Sequence, residues 1–290
     1  MTRSLPSVLL ALLLMTLAPA EAAAQRLRAA GVIDGDTLEL EDGRRLRLAG
    51  IEAAKPPPNA APGTRWPLAE AATTALAELA LGRNLSPRGE ARTDRHGRLV
   101  AQLQRDDGLW LQGALLARGL ARVHTQPANQ PDGRALAREM LAAEDAARAA
   151  GLGIWRTRAY GVRPADDPDM VARDRDSFQI LEGRVLRVTK AGSEAYLDFG
   201  EDWRTDVTVH IGRVAFRAFT QAGIDPLSYE GRRVRVRGWV GLRSGPMIEA
   251  THPEQIERLD DSRTPAPKVS IAPPAEPPPS VSDPDDEDAD

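Results

Sequence analysis

Two acids and two arginines stand at spacings that suggest phosphate chemistry. Asp36 lies in Val32-Ile33-Asp34-Gly35-Asp36-Thr37-Leu38, and Arg47 and Glu52 open and close Arg47-Leu48-Ala49-Gly50-Ile51-Glu52. Arg98 ends the run Asp94-Arg95-His96-Gly97-Arg98. Carboxylates hold a hard cation through oxygen, and forked guanidiniums match the oxygens of a phosphate. Together they outline a metal-dependent phosphodiesterase. Lys55 breaks the outline, because it stands where such a site calls for a further carboxylate, and a protonated lysine accepts no proton. Other roles stay open: Asp36 as a turn former, Arg47 and Arg98 as solvated arginines, and His96 as a loop residue.

The elements that must position these groups follow from periodicity. Alternation from Arg26 to Leu48 reads as strands, with Asp42-Gly43 as a hairpin turn. Lys55-Pro56-Pro57-Pro58 through Gly63 reads as a loop. The pattern predicts a helix from near Pro67 to Gly82 and a strand from Leu99 to Gln104. It also predicts helices from Leu111 to Arg118 and from Arg134 to Ala150, each closed by a glycine. The order is that of an α+β, barrel-like unit ending near Trp155. Residues 161–177, rich in Pro, Asp and Arg, read as a linker.

A second strand-rich block spans 178–259. Strands are predicted at Gly183 to Thr189, Tyr196 to Phe199, Val207 to Ile211, Arg233 to Val240 and Met247 to Ala250, with a helix at Val214 to Ala222. Five strands with a helix after the third is the order of a second, OB-like β-barrel. Arg233, Arg235, Arg237 and Trp239 share parity on one strand face. They suit single-stranded nucleic acid through phosphate contact and stacking, with Tyr196 and Trp203 as further stacking surfaces. The alternative is a solvated charged face.

Composition narrows the classes. The chain has 290 residues, room for two domains, and no cysteine, which excludes disulfides and thiolate metal sites. The four histidines match no metal-ligand spacing. The formal charge of −4 is concentrated in residues 260–290, whose nine acids face only Arg263 and Lys268. The remaining body is mildly basic and suits a polyanionic partner. That Pro-rich, acidic tail is expected to be disordered and is a candidate contact for a protein partner. Arg3, the apolar run Val8 to Leu17 and Ala22-Ala23-Ala24 read as a signal peptide over residues 1–24, cleaved near Ala24/Gln25. The mature protein is then expected in the periplasm or outside the cell, with no membrane span.

Residues 30–155 resemble the staphylococcal-type thermonuclease family. The resemblance is carried by Ile33-Asp34-Gly35-Asp36-Thr37, by Arg47 with Gly50-Ile51-Glu52, and by Thr93-Asp94-Arg95-His96-Gly97-Arg98. Gly119-Leu120-Ala121-Arg122-Val123 and Gly153-Ile154-Trp155 complete it. It implies an OB-type five-stranded barrel with three helices over residues 25–160, and Ca2+-dependent cleavage of DNA or RNA to 3′-phosphate ends. Carried over, Asp36 and Glu52 become calcium ligands with the carbonyl of Ala53, while Arg47 and Arg98 bind the scissile phosphate. Glu52 replaces the usual aspartate, and Lys55 replaces the glutamate assigned as general base. The tyrosines that follow the Gly-Leu-Ala segment in the family give way to His124, Thr125 and Gln126. An exported nuclease with an altered base position is the leading expectation. A catalytically inactive nucleic-acid- or protein-binding module is the alternative.

Overall fold

The computed structural model describes residues 26–56, 61, 63–125 and 133–259. The expected signal peptide, the acidic tail, Gln126 and Pro57-Pro58 of the loop after Lys55 lie outside the described residues. The described chain has two hydrophobic cores, one from Leu27 to Tyr160 and one from Ala165 to Ile256.

The first half runs β1 (Ala29–Asp34), β2 (Thr37–Leu40), β3 (Arg45–Leu48), β4 (Ile51–Ala53), α1 (Ala69–Ala80), β5 (Leu85–Pro87) and β6 (Arg92–Thr93). It continues β7 (Leu99–Ala101), β8 (Leu103–Arg105), α2 (Leu111–Ala117), β9 (Ala121–Val123) and α3 (Gly133–Ala149). Alternation decides the faces. Leu38, Leu40, Leu46 and Leu48 all point inward and are buried, each contributing about 1.5–3 kcal/mol of burial. The strands pair in the order β1-β2-β3-β7-β6, with β3 parallel to β7 and with β4–β9 and β5–β8 as separate ribbons. These pairings, among the described residues, do not trace the closed five-stranded barrel that was expected. Helix α1 starts at Ala69, two residues beyond the predicted proline start, because Leu68 adopts a left-handed φ of 60°.

Gly35 fixes how the β1–β2 turn seats. A Cβ there would lie 2.6 Å from the Ala72 Cβ on α1 and 2.8 Å from that of Ala53 on β4. Only glycine permits this approach, and it turns the next residue, Asp36, into the interior.

The second half runs β10 (Arg163–Pro164), α4 (Pro168–Arg173), β11 (Phe178–Arg184), β12 (Arg187–Ala191), β13 (Glu194–Asp198) and β14 (Thr208–Ile211). After these come α5 (Arg213–Gln221), β15 (Arg233–Leu242), β16 (Pro246–Glu249) and β17 (Ile256–Arg258). The expected linker is structured: β10 pairs with β11, and the Asp167 carboxylate accepts from Met170 N at 2.9 Å to cap α4. Its Asp-Pro composition encodes a helix start rather than a spacer. The strand predicted from Gly183 to Thr189 is two strands, broken at Val185–Leu186. The strands pair in the order β10-β11-β15-β16-β14-β13-β12, with β17 on β15 and with β14 parallel to β16.

The arginine face of β15 overturns its sequence reading. The Arg237 side chain is fully buried against the first half of the chain. It donates to both Glu144 oxygens at 3.0 Å, to the Val123 carbonyl at 3.2 Å, and to Glu257. Arg235, largely enclosed, bonds Glu182 at 3.1 Å and lies 3.8 Å from Asp145 on α3. Arg233 is outward and shares Glu182. Parity placed these side chains on one face correctly, but α3 covers the middle of that face, so Arg235 and Arg237 cannot meet nucleic acid. His252 adds a second link, with Nε2 2.8 Å from the Thr125 hydroxyl. Arg134 on α3 pairs with Glu254.

Candidate nucleic-acid cleft

Asp36 is the buried hub of the site. Arg47, on the adjacent strand, bonds its Oδ1, and the Thr37 hydroxyl donates to the same oxygen at 3.2 Å. Ala53, whose carbonyl was the expected third metal ligand, donates its amide N–H to Asp36 Oδ2 at 2.8 Å. The strand register explains the meeting, because Thr37 faces Arg47 directly across β2–β3. Arg47 bridges onward to Glu52 Oε2 at 2.7 Å and to the Ile51 carbonyl at 3.1 Å.

Lys55 occupies the middle of the acids. Its Nζ lies 3.0 Å from both oxygens of Asp36, 3.5 Å from Glu52 Oε1 and 3.7 Å from Asp34 Oδ2. Burial pulls the Lys55 ammonium below the usual lysine range, while Glu52 and Asp34 pull it back upward. For Glu52, burial pushes the carboxyl up, and the nearby Lys55, Arg47 and Arg122 outweigh it, leaving it below its ordinary value. Asp34 was not among the residues singled out, although the Ile33-Asp34 motif contains it.

The family implies calcium, and the donor set tests the fit. A calcium ion needs six to eight free oxygen ligands. Here both Asp36 oxygens and both Glu52 oxygens already face N–H or ammonium groups. Among the described residues, no group of three or more His, Cys, Asp or Glu is placed to hold a metal. The residues present do not fit the ion, since an ammonium stands between the acids that would bind it.

Outside this hub opens a cleft of about 520 Å³, lined by Arg47, Glu52, Arg92, Arg98, His124 and Trp239 among others. Arg98 faces it from the turn at 94–98, where Asp94 accepts its Nε at 2.9 Å and its backbone N–H at 3.0 Å. Arg47, Glu52 and Arg98 therefore share one hollow, with Asp36 sealed behind them. His96 also lines it and partners Arg95 at 3.1 Å. Two residues of the far wall escaped sequence reasoning as parts of this site. His124, tilted against Phe178 with centroids 5.1 Å apart, is held below the ordinary histidine range mainly by burial. Trp239 comes from β15 of the second half and remains 46 % exposed. Only the tertiary docking brings it here, so no local signal marked it as a wall of this cleft.

Residues 45–157 match the family model described as Staphylococcal nuclease homologue, the likeness that the motifs at 47–52, 93–98, 119–123 and 153–155 implied. No curated protein matches the chain. Among the described residues, no helix is long and apolar enough to cross a membrane.

Proposed function

We propose that this protein binds nucleic acid through the phosphodiester backbone in the cleft, with Lys55 as a built-in cation where the family uses calcium. The observation that carries this reading is the Lys55 ammonium, within 3.0–3.7 Å of Asp36, Glu52 and Asp34. Arg47 and Arg98 supply forked donors for phosphate oxygens, Arg92 and Arg95 add positive charge at the mouth, and Trp239 offers a ring on which a base stacks. The expected calcium-dependent hydrolysis needs both a metal and a base, and one lysine now stands in the place of each. Binding is therefore the better-supported member of the two expectations.

A second reading retains slow hydrolysis. His124 favours it, because a neutral imidazole facing the phosphate donors is a proton acceptor in the right cleft. Cleavage that disappears in His124→Gln and rises with pH below the ordinary histidine range would establish it.

The second half we read as an OB-type module. Support comes from parallel pairing of β14 with β16, the helix between β14 and β15, and the break at Val185–Leu186 that lets consecutive strands pair on two sides. Export is part of the proposal, on the strength of the N-terminal charge and apolar pattern. The test is affinity for fluorescein-labelled single-stranded DNA and RNA in EDTA. Binding that is unaffected by calcium and weakened by Arg98→Ala supports the reading. Binding that appears only with calcium refutes it.

A further inference from the structure

We infer that the second half carries a separate nucleotide pocket of its own. A cavity of about 600 Å³ opens on the outer side of β12, β13 and β14, and it shares no lining residue with the cleft. Alternation explains its walls: Arg187 comes from β12, Tyr196 and Asp198 from β13 and Thr208 from β14, with Trp203 and Arg243 added from the flanking loops. Pockets of this size accommodate a ligand of one or two nucleotides.

Two aromatic rings and two guanidiniums converge there. The Tyr196 ring is propped on His210, stacked at 4.6 Å, and His210 is itself fixed by Glu249 at 2.7 Å and by Glu194 at 3.3 Å. Trp203 is 50 % exposed, with the Arg204 guanidinium 4.6 Å from its ring centre. Behind them, the Thr208 hydroxyl donates to Asp198 at 3.5 Å and to Asp206 at 3.3 Å, and Arg187 Nε bonds Asp198 at 3.2 Å.

The loop that displays Trp203 is braced. Gly200 N donates to Asp206 Oδ2 at 3.0 Å, and the 205 and 206 amides both donate to the Asp202 carbonyl at 3.0 Å. Gly245 then packs its backbone directly on that loop. Its φ is +94°, and a Cβ there would lie 2.3 Å from the Asp206 carbonyl oxygen. A large indole held out on a rigid loop beside a tyrosine and two arginines is a stacking platform. Planar rings joined to anions at short spacing are what single-stranded nucleic acid offers.

The experiment is fluorescence anisotropy with a labelled five-nucleotide oligodeoxythymidylate and the full chain, on wild type, Trp203→Ala, Trp203→Phe and Arg243→Glu. Each variant is also made with Arg98→Ala, which weakens the cleft. Trp203→Ala is expected to raise Kd roughly 5- to 150-fold, the range for loss of one base–aromatic stack. Trp203→Phe should retain most of the affinity, since the ring survives. Arg243→Glu should weaken binding and flatten its salt dependence. The Trp203→Ala effect should persist in the Arg98→Ala background. Unchanged affinity in both Trp203→Ala and Arg243→Glu overturns the pocket, and does so without touching the cleft if Arg98→Ala still weakens binding. A pocket that binds a Glu-Tyr peptide and no oligonucleotide also overturns it.

Discussion

Replacing Lys55 by glutamate tests the internal-cation idea most directly. In the wild type, the ammonium neutralises a fully buried Asp36 from 3.0 Å and approaches Glu52 and Asp34. Losing one partner of a buried pair costs about 3–5 kcal/mol. Lys55 keeps 24 % side-chain exposure, so the lower end applies, roughly 3 kcal/mol. For a chain of this size that is a fall of about 6–12 °C in Tm. The Lys55→Glu variant would also have four carboxylates facing one remaining guanidinium, the composition that calcium does fit. If the variant binds calcium at about 100 μM, then 10 mM ion restores about 2.7 kcal/mol, most of what was lost. The assay is thermal unfolding of wild type, Lys55→Glu and Lys55→Met, each with EDTA and with calcium. Wild type should be indifferent to calcium, Lys55→Glu should recover about 5–10 °C, and Lys55→Met should recover less because it adds no oxygen. Calcium-dependent cleavage of denatured DNA should rise in Lys55→Glu alone. The reasoning fails if calcium stabilises the wild type as much as the variant, or if Lys55→Glu without calcium melts with the wild type.

Three further outcomes follow from the geometry. Arg237→Met should lose about 3–5 kcal/mol in urea unfolding, because it strands Glu144 and Glu257 in the interior; a loss under about 1 kcal/mol would contradict the latch. His252 is held neutral, mainly by burial, its pKa lowered from 6.5 to about 4. Below pH 6.5 the unfolded chain takes up a proton that the folded one refuses, so stability declines from pH 6.5 toward pH 4, by roughly 3 kcal/mol in all. His252→Gln should flatten that limb of the urea-midpoint profile, and an unchanged slope would rule His252 out as its source. Trp239→Ala should weaken single-strand binding about 5-fold or more with no change in its salt slope, whereas Arg98→Ala should lower that slope, as titrations at several salt concentrations would show.

The parts of this molecule that were legible from sequence are those set by near neighbours. Asp36 closes the turn into β2, and Arg47 and Glu52 lie on the next two strands, so their motifs announced a shared site, and Arg98 follows from its own tight turn. Lys55 was recognisable as a discordant charge, but its place among three acids required coordinates. Failure came where a face is covered by something remote. Alternation assigned Arg235, Arg237 and Trp239 to one side of β15 but could not say that α3 lies over two of them. Nor could it reveal that the third looks into a cleft built by the other half. The Asp167-Pro168 pair misled for a different reason, since the same residues that break structure also start helices.

The Arg237 junction determines how the molecule can be taken apart. Charges enclosed beyond the reach of mobile ions are hardly weakened by salt, so brine should leave the two halves joined. Acid acts on the same joint by another route, because protonating the carboxylates that hold Arg237 removes the attraction at its source. A preparation of the first half alone would leave Glu144 with Arg148 and the Val123 amide as its partners, on a face newly opened to water.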